Sequence, residues 1–381
     1  MSLSMYLLGV PYRELALVFL TAAVVTYFLT GAVGAAAVRA GAVHVPRERD
    51  MHHIPTPRMG GVAMYTAVVA ALLLASQLPA LKRGFSYSTD MAAVMVAGGI
   101  IVLVGAIDDQ FELDWATKLV GQLTSAAVLV LLGLSWEYLY VPFSDVGVVV
   151  LDRLQGGLIT CCVTVLAINA MNFIDGLDGL AAGLGFIVSA GICLFSIGLL
   201  QKQGGDVGSY PPALISAALA GTCLGFLPHN FHPAKIFMGD SGAMLIGLML
   251  AAGATSASGR ITQAAFGATD GYALLAPLLL VVATLFVPFL DVLLAVVRRV
   301  RAGQSPFGTT DKLHLHHRMI ALGHSHPRAV LVFYLWVWVL TFGVVASTRY
   351  PRLAVLALTV AGLLTAGLVT VWPKLKHPKR S

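Results

Sequence analysis

Long apolar segments separated by short polar connectors dominate the sequence. A bilayer core is crossed by about 20 helical residues. Eleven segments of roughly that length are predicted at 14–38, 60–78, 91–107, 116–134, 156–171, 178–200, 211–228, 242–258, 272–297, 328–347 and 352–372. Residues 137–152, rich in valine and tyrosine around a proline, predict a small extramembrane hairpin. The pattern predicts an all-α polytopic membrane protein with about eleven transmembrane helices and one domain, 1–381.

Composition supports this class and indicates an orientation. The chain is 58% apolar and 11% charged, against roughly 25% charged residues in soluble domains. Most of its 24 lysines and arginines fall in alternate connectors, and such residues accumulate on the cytoplasmic side. The N-terminus is therefore predicted outside and the C-terminus inside. The net charge of +6 suits anionic lipids or an anionic substrate; nucleic acid is not expected, because no basic soluble domain is present.

Candidate chemistry is concentrated in five connectors on the predicted cytoplasmic side. All eleven histidines map to this side, although neutral histidine is not governed by the positive-inside rule. A catalytic cleft on the cytoplasmic side explains this bias. The connectors are predicted at about 39–59, 108–117, 171–178, 229–241 and 298–327.

The first connector contains "VPRERDMHHIPTPRMGG", residues 45–61. Its prolines stiffen the chain, and Arg49, His52 and Arg58 could bind phosphate. The alternative is a charged connector that only orients the neighbouring helices.

The second connector contains adjacent Asp108 and Asp109 where an apolar segment ends. Carboxylate oxygens suit Mg²⁺, which usually binds through one or two carboxylates and substrate phosphates. An acidic helix cap is the alternative. Lys118 follows and is the candidate contact to phosphate.

The third connector contains "NAMNFIDGLDGLAAG", residues 169–183. Asn169, Asn172, Asp175 and Asp178 recur every three residues, so successive pairs are neighbours on a helix. Polar groups at membrane depth are expensive, and four of them exceed what helix capping needs.

The fourth connector ends at Asp240, directly before Ser241, Gly242 and an apolar helix. Asp240 either caps that helix or directs its carboxylate at a cation held by the third connector.

The fifth connector contains the cluster His314, His316, His317 and Arg318. Zinc is one candidate ligand, but no cysteine lies nearby. Imidazole and guanidinium donors also recognise pyrophosphate, and a solvated basic loop is the third interpretation. Together, the five connectors indicate metal-assisted phosphoryl transfer without a P-loop or GxGxxG motif.

Five motifs in this order carry a family resemblance. They are "HxxPTPRMGG", "DDxxxLDxxxK", "NAMNFIDGLDGLAAG", "MGDSGAMLIG" and "HLHHR". The chain resembles the polyprenyl-phosphate N-acetylhexosamine-1-phosphate transferases, of glycosyltransferase 4 type. Within this family "HLHHR", with Leu315 inside the histidine run, resembles the branch that uses UDP-GlcNAc. The competing branch is the phospho-N-acetylmuramoyl-pentapeptide transferase of peptidoglycan synthesis.

The resemblance implies an activity and its location. UDP-GlcNAc would donate GlcNAc-1-phosphate to undecaprenyl or decaprenyl phosphate and release UMP. This is the first lipid-linked step of cell-envelope polysaccharide synthesis, in the bacterial plasma (inner) membrane. Mg²⁺ is the implied cofactor, with Mn²⁺ as an alternative, and a homodimer is compatible with the family.

The resemblance also implies roles for the candidate residues. Asn172 and Asp240 would bind the metal, and Asp108 and Asp109 would face the lipid phosphate, which attacks directly unless Asp108 serves as a covalent nucleophile or base. The residues assigned to the nucleotide, the sugar and the diphosphate are Lys118, Asn169, Asp175, Asp178, His314, His316, His317 and Arg318, with His52 and Arg58 assigned to substrate.

Two other classes compete with an enzyme. A transporter would carry polar residues near the bilayer midplane at repeat interfaces, whereas these residues gather at one surface and no repeat is evident. A scaffold or receptor has no need for this set of carboxylates.

Overall fold

The computed structural model describes residues 9–44, 55–141, 147–261, 271–301, 319 and 322–376. Within them lie twelve α-helices and two short antiparallel strand pairs. The helices are α1 Tyr12–Arg39, α2 Gly60–Gln77, α3 Pro79–Tyr87, α4 Asp90–Phe111, α5 Trp115–Leu131, α6 Arg153–Ile174, α7 Leu180–Lys202, α8 Pro211–Asn230, α9 Gly239–Ser258, α10 Gly271–Arg301, α11 His326–Ser347 and α12 Arg352–Lys376.

Each of the eleven predicted apolar segments overlaps one of these helices. Among the described residues, ten helices are long and apolar enough to cross a bilayer, and α5 is a shorter apolar helix. A helix satisfies all its interior backbone hydrogen bonds within one segment, as a bilayer requires. The chain is an all-α polytopic membrane protein, as predicted.

Shorter elements connect the helices. The predicted hairpin is confirmed, since β3 Tyr138–Tyr140 pairs antiparallel with β4 Val148–Val150. A second pair, β1 Val43–His44 with β2 Thr56–Pro57, was not predicted. Helix α3 was not predicted either, because it is only nine residues long. The proline at its first position favours a helix start.

Helix α9 lies at the centre of the bundle. Residues 241–258 are all buried, and α9 packs against α2, α4, α6, α7, α8 and α10. Glycines permit the closest approaches. A Cβ on Gly61 would lie 2.2 Å from the backbone nitrogen of Gly242, and one on Gly105 would lie 2.4 Å from the Cα of Ser241. The start of α9 is therefore held against the backbones of α2 and α4.

A buried polar network joins α4 and α9 at the other end of the bundle. The Asp90 carboxylate accepts a hydrogen bond from Ser256 Oγ at 2.5 Å. The Nη2 of Arg260 lies 3.3 Å from the same oxygen of Asp90. Because the Asp90 side chain is only 6% exposed and Arg260 is 27% exposed, the pair is largely shielded from water.

Replacing Asp90 by alanine is expected to destabilise the protein by about 3 kcal/mol, the lower end for breaking a buried ion pair, since Arg260 is partly exposed. The measurement is the melting temperature in detergent of Asp90→Ala, Arg260→Ala and the double variant. The double variant should lose less than the sum of the two single losses. Strictly additive losses would contradict the coupling.

Candidate active site

Residues from four helices meet around Asp240, in the first turn of α9. The Nζ of Lys118 on α5 lies 2.9 Å from Asp240 Oδ2 and 2.6 Å from Oδ2 of Asp108 on α4. The side-chain amide of Asn172 on α6 donates to Asp240 Oδ2 at 3.0 Å. Three connectors predicted separately thus supply one polar cluster, defined by Asp108, Lys118, Asn172 and Asp240.

Asp109, rather than Asp240, caps helix α9. Asp109 Oδ1 accepts from the backbone N–H of Asp240 at 2.8 Å, and Oδ2 accepts from the hydroxyl of Ser241 at 2.8 Å and from its N–H at 3.3 Å. A carboxylate is favourable at a helix N-terminus, where N–H groups lack partners. Among the described residues, the Asp240 side chain accepts hydrogen bonds from Lys118 and Asn172. Its carboxylate therefore stays directed at Lys118 and Asn172.

Gly239 makes this cap sterically accessible. Its φ of +71° is in the left-handed region that favours glycine. A Cβ at this position would lie 2.3 Å from a carboxylate oxygen of Asp109. The glycine of the "MGD" motif is thus required by the contact between α4 and α9.

Asp108 serves both the backbone and the cluster. Its Oδ1 accepts from the N–H of Leu113 at 2.7 Å, which fixes the turn after α4. Its Oδ2 faces Lys118. The two adjacent aspartates are therefore not equivalent: Asp108 faces the cluster, and Asp109 supports the helix that carries Asp240.

Asp175 and Asp178 follow α6 on the turn that leads into α7. Burial, and then the negative charges of Asp240, Asp109 and Asp178, raise the pKa of Asp175 well above its usual value. The carboxylate of Asp178 is itself buried. Negative charges so close together favour the arrival of a cation or a proton.

Two histidines that were not predicted as site residues lie beside Asp178. His232 Nδ1 is 2.9 Å from Asp178 Oδ2, which also accepts from the N–H of Ala234 at 3.1 Å. The ring of His232 stacks on that of His326 at 4.3 Å with an angle of 15° between the planes. The only sequence signal for His232 was its place in the fourth connector. His326 lies at the end of the predicted fifth connector and is the first residue of α11.

These three side chains place potential metal ligands within 4.8 Å of one another. A metal bound by imidazole lies in the plane of the ring. The planes of two stacked, nearly parallel rings do not meet nearby, so one ion cannot lie in both planes. This arrangement therefore links three segments of chain and does not enclose an ion.

Asn169 is directed away from the Asp240 cluster. Its amide pairs with that of Gln122 on α5, with distances of 2.7 and 3.3 Å. The Gln122 side chain also reaches the sulfur of Met244 on α9 at 3.8 Å. Asn169 on α6 is thus linked to α5 through Gln122, and Gln122 extends the contact to α9.

The first connector also reaches this end of the bundle. The N–H of Phe237 donates to the carbonyl of Pro57 at 2.8 Å, and those of Gly60 and Gly61 donate to the carbonyls of Phe237 and Met238. Arg58, whose N–H donates to Ala42, is therefore anchored beside the segment that precedes Asp240. His52, His314, His316, His317 and Arg318 lie outside the described residues.

The donor set fits a hard divalent cation. Asp108, Asp109, Asp175 and Asp240 bring four carboxyl groups together, and Lys118 is the cation that contacts two of them. Oxygen ligands from carboxylates and amides are those that Mg²⁺ prefers. The residues present thus match the predicted metal site in charge and ligand type.

Comparison with known proteins agrees with this geometry. Residues 91–258 match glycosyl transferase family 4. The chain is 59% identical over 369 residues to the decaprenyl-phosphate N-acetylglucosaminephosphotransferase of Mycobacterium tuberculosis H37Rv, covering 97% of this chain and 91% of that protein. It is 35% identical over 321 residues, 83% of this chain and 80% of the relative, to a probable undecaprenyl-phosphate N-acetylglucosaminyl 1-phosphate transferase of Bacillus subtilis.

A more distant relative belongs to the competing branch. The phospho-N-acetylmuramoyl-pentapeptide-transferase of Desulforudis audaxviator is 30% identical over 312 residues, 75% of this chain and 82% of that protein. The region that matches the family model, residues 91–258, runs from α4 to the end of α9 and thus contains the whole Asp240 cluster. The chain is a multi-pass membrane protein that belongs to glycosyl transferase family 4.

Proposed function

We propose that this chain transfers GlcNAc-1-phosphate from UDP-GlcNAc to a polyprenyl phosphate, releasing UMP and forming polyprenyl-diphospho-GlcNAc. The observation that carries the proposal is the convergence of Asp108, Lys118, Asn172 and Asp240 at one end of the bundle. The names of the relatives at 59% and 35% identity support GlcNAc over the muramoyl-pentapeptide substrate. The product would be the first lipid-linked intermediate of a cell-envelope polysaccharide.

The proposed site opens to the cytosol at the bacterial plasma membrane. The connectors that contribute to the site follow every second one of the eleven proposed membrane-crossing helices, so they lie on one side of the bilayer. They also hold most of the basic residues, which accumulate on the cytoplasmic side. In this proposal the N-terminus lies outside and the C-terminus inside, and residues 1–381 form one domain. Cytosolic UDP-GlcNAc and a membrane-bound lipid phosphate would meet at this surface.

Asp240 and Asn172 would hold Mg²⁺ or Mn²⁺. When bound, such a cation neutralises charge on the diphosphate and orients it. Lys118, already between two carboxylates, would shift its contacts toward the phosphate groups as they enter. Asp175 and Asp178 would line the pocket for nucleotide and sugar, together with the His314 to Arg318 cluster, His52 and Arg58. Asn169 would support this pocket indirectly, through its pairing with Gln122.

The chemistry favours a direct displacement. A phosphate monoester has its second pKa near 6, so much of the lipid phosphate is dianionic at neutral pH and needs little general-base assistance. Its oxygen attacks the β-phosphorus, the bond from that phosphorus to the bridging oxygen breaks, and UMP leaves with that oxygen. Both oxygens of Asp108 are engaged, by Leu113 and Lys118, which disfavours this residue as a covalent nucleophile.

The direct test uses purified protein, radiolabelled UDP-GlcNAc and either decaprenyl or undecaprenyl phosphate. Label should pass to the organic phase with an equal amount of UMP released. EDTA should abolish transfer, and added Mg²⁺ or Mn²⁺ should restore it. Transfer from UDP-MurNAc-pentapeptide in place of UDP-GlcNAc would assign the chain to the other branch. UMP release before lipid is added would instead indicate a phospho-enzyme.

A further inference from the structure

A cleft between α11 and α12 lies apart from the Asp240 cluster. It encloses about 840 Å³, within the roughly 300–1,000 Å³ of small-molecule sites. Its walls are mostly apolar, and its polar side chains gather at one end. The lining residues are Gly323, His324, Arg328, Leu331, Val332, Leu335, Val369, Trp372 and Pro373.

The polar end of the cleft lies at the same end of the bundle as the candidate active site. His326, the first residue of α11, stacks on His232, which contacts Asp178. Arg328 follows two residues later. Trp372, near the end of α12, is 63% exposed, and tryptophan is enriched where a membrane protein meets the headgroup layer. Arg328 and Trp372 therefore mark the headgroup level of that leaflet.

Arg328 presents an exposed positive charge at the polar end of the cleft. It is exposed and takes part in no hydrogen bond or ion pair of the described part of the chain. His324, the other basic lining residue, is engaged, because its Nε2 lies 2.9 Å from the carbonyl of Thr370 on α12. Trp336 Nε1 donates to Thr370 Oγ1 at 3.0 Å. These contacts tie α11 to α12, while the guanidinium stays available above an apolar cleft.

We propose that this cleft binds an anionic phospholipid of the bilayer, with its phosphate at Arg328 and an acyl chain along Leu331, Leu335 and Val369. A guanidinium presents planar donors that match phosphate. The apolar walls of the cleft contact the acyl chain in place of neighbouring lipids. The acceptor lipid of the proposed reaction is a poor match for this cleft. The reacting groups lie on α4, α5, α6 and α9, whereas α12 packs against α11.

The test is native mass spectrometry of the purified full chain mixed with phosphatidylglycerol or phosphatidylcholine of identical acyl chains. Wild type should retain phosphatidylglycerol in preference to phosphatidylcholine. Arg328→Gln should reduce that retention about fivefold, the contribution of one basic residue near an anionic surface. Arg328→Lys should keep most of it. Arg153→Gln is the matched control, because Arg153 is an exposed arginine at the opposite end of α6 from Asn172.

A second variant tests the apolar part of the cleft. Val369→Trp fills the space without changing charge and should reduce retention of both lipids at this site. Equal retention of the two lipids by wild type, or unchanged retention by Arg328→Gln, would overturn the proposal. Displacement of phosphatidylglycerol by an equimolar amount of polyprenyl phosphate would also overturn it, by making the cleft an acceptor-lipid site. None of these results depends on transferase activity, so failure here leaves the proposed reaction untouched.

Discussion

Replacing Asp240 by asparagine is expected to lower the rate of GlcNAc-1-phosphate transfer by roughly 100- to 1,000-fold, the usual effect of removing one preorganised electrostatic group. Asparagine has the same shape, but it carries no negative charge to neutralise Lys118 or a divalent cation. The fold should survive, because Asp109 caps α9 through the backbone N–H of residue 240 and not through its side chain. Transfer is measured at saturating substrates over a range of Mg²⁺ concentrations.

The matched control for this variant is Asp152→Asn. Asp152 caps α6 at the end remote from Asn172, and asparagine is an equally good N-cap. Its transfer rate should equal that of wild type. If Asp240→Asn kept near-normal turnover at low Mg²⁺ while Asp152→Asn behaved as expected, the assignment of Asp240 to the metal would be wrong.

Replacing Gly61 by alanine is expected to destabilise the fold strongly. The added Cβ would lie 2.2 Å from the backbone nitrogen of Gly242, and backbone at a buried helix start cannot move aside as a flexible side chain does. Overpacking usually costs 1–3 kcal/mol, and the upper part of that range, about 3 kcal/mol, is expected here. The measurement is the melting temperature and the yield of monodisperse protein in detergent.

Gly31→Ala provides the comparison. Gly31 lies within α1, and a Cβ there would meet nothing within 4 Å. Alanine is favoured over glycine in a helix by about 1 kcal/mol, so this variant should melt at or above the wild-type temperature. Equal melting temperatures for Gly61→Ala and Gly31→Ala would show that α2 can move away from α9, contrary to the close packing described.

Hydropathy predicted the membrane helices because length and apolar composition are properties of each segment alone. It missed α3, which is only nine residues long and too polar to stand out as an apolar segment. The sequence also singled out the three connectors whose polar residues meet around Asp240. It could not separate Asp108 from Asp109, because their roles depend on which of them meets the start of α9. The pairing of Asn169 with Gln122, and the meeting of His232 with His326, likewise depend on tertiary packing between distant segments.

The paired helices α4 and α9 are fastened to each other at both extremities. Asp109 holds the first turn of α9, and Asp90 at the opposite extremity of α4 holds Ser256 and Arg260. A shift of one helix along the other by a single turn, about 5.4 Å, would break both sets of contacts together. The two contacts therefore hold Asp108 and Asp240 at one depth relative to each other. In the proposed reaction, we expect any opening that admits a lipid headgroup to come from segments outside this pair.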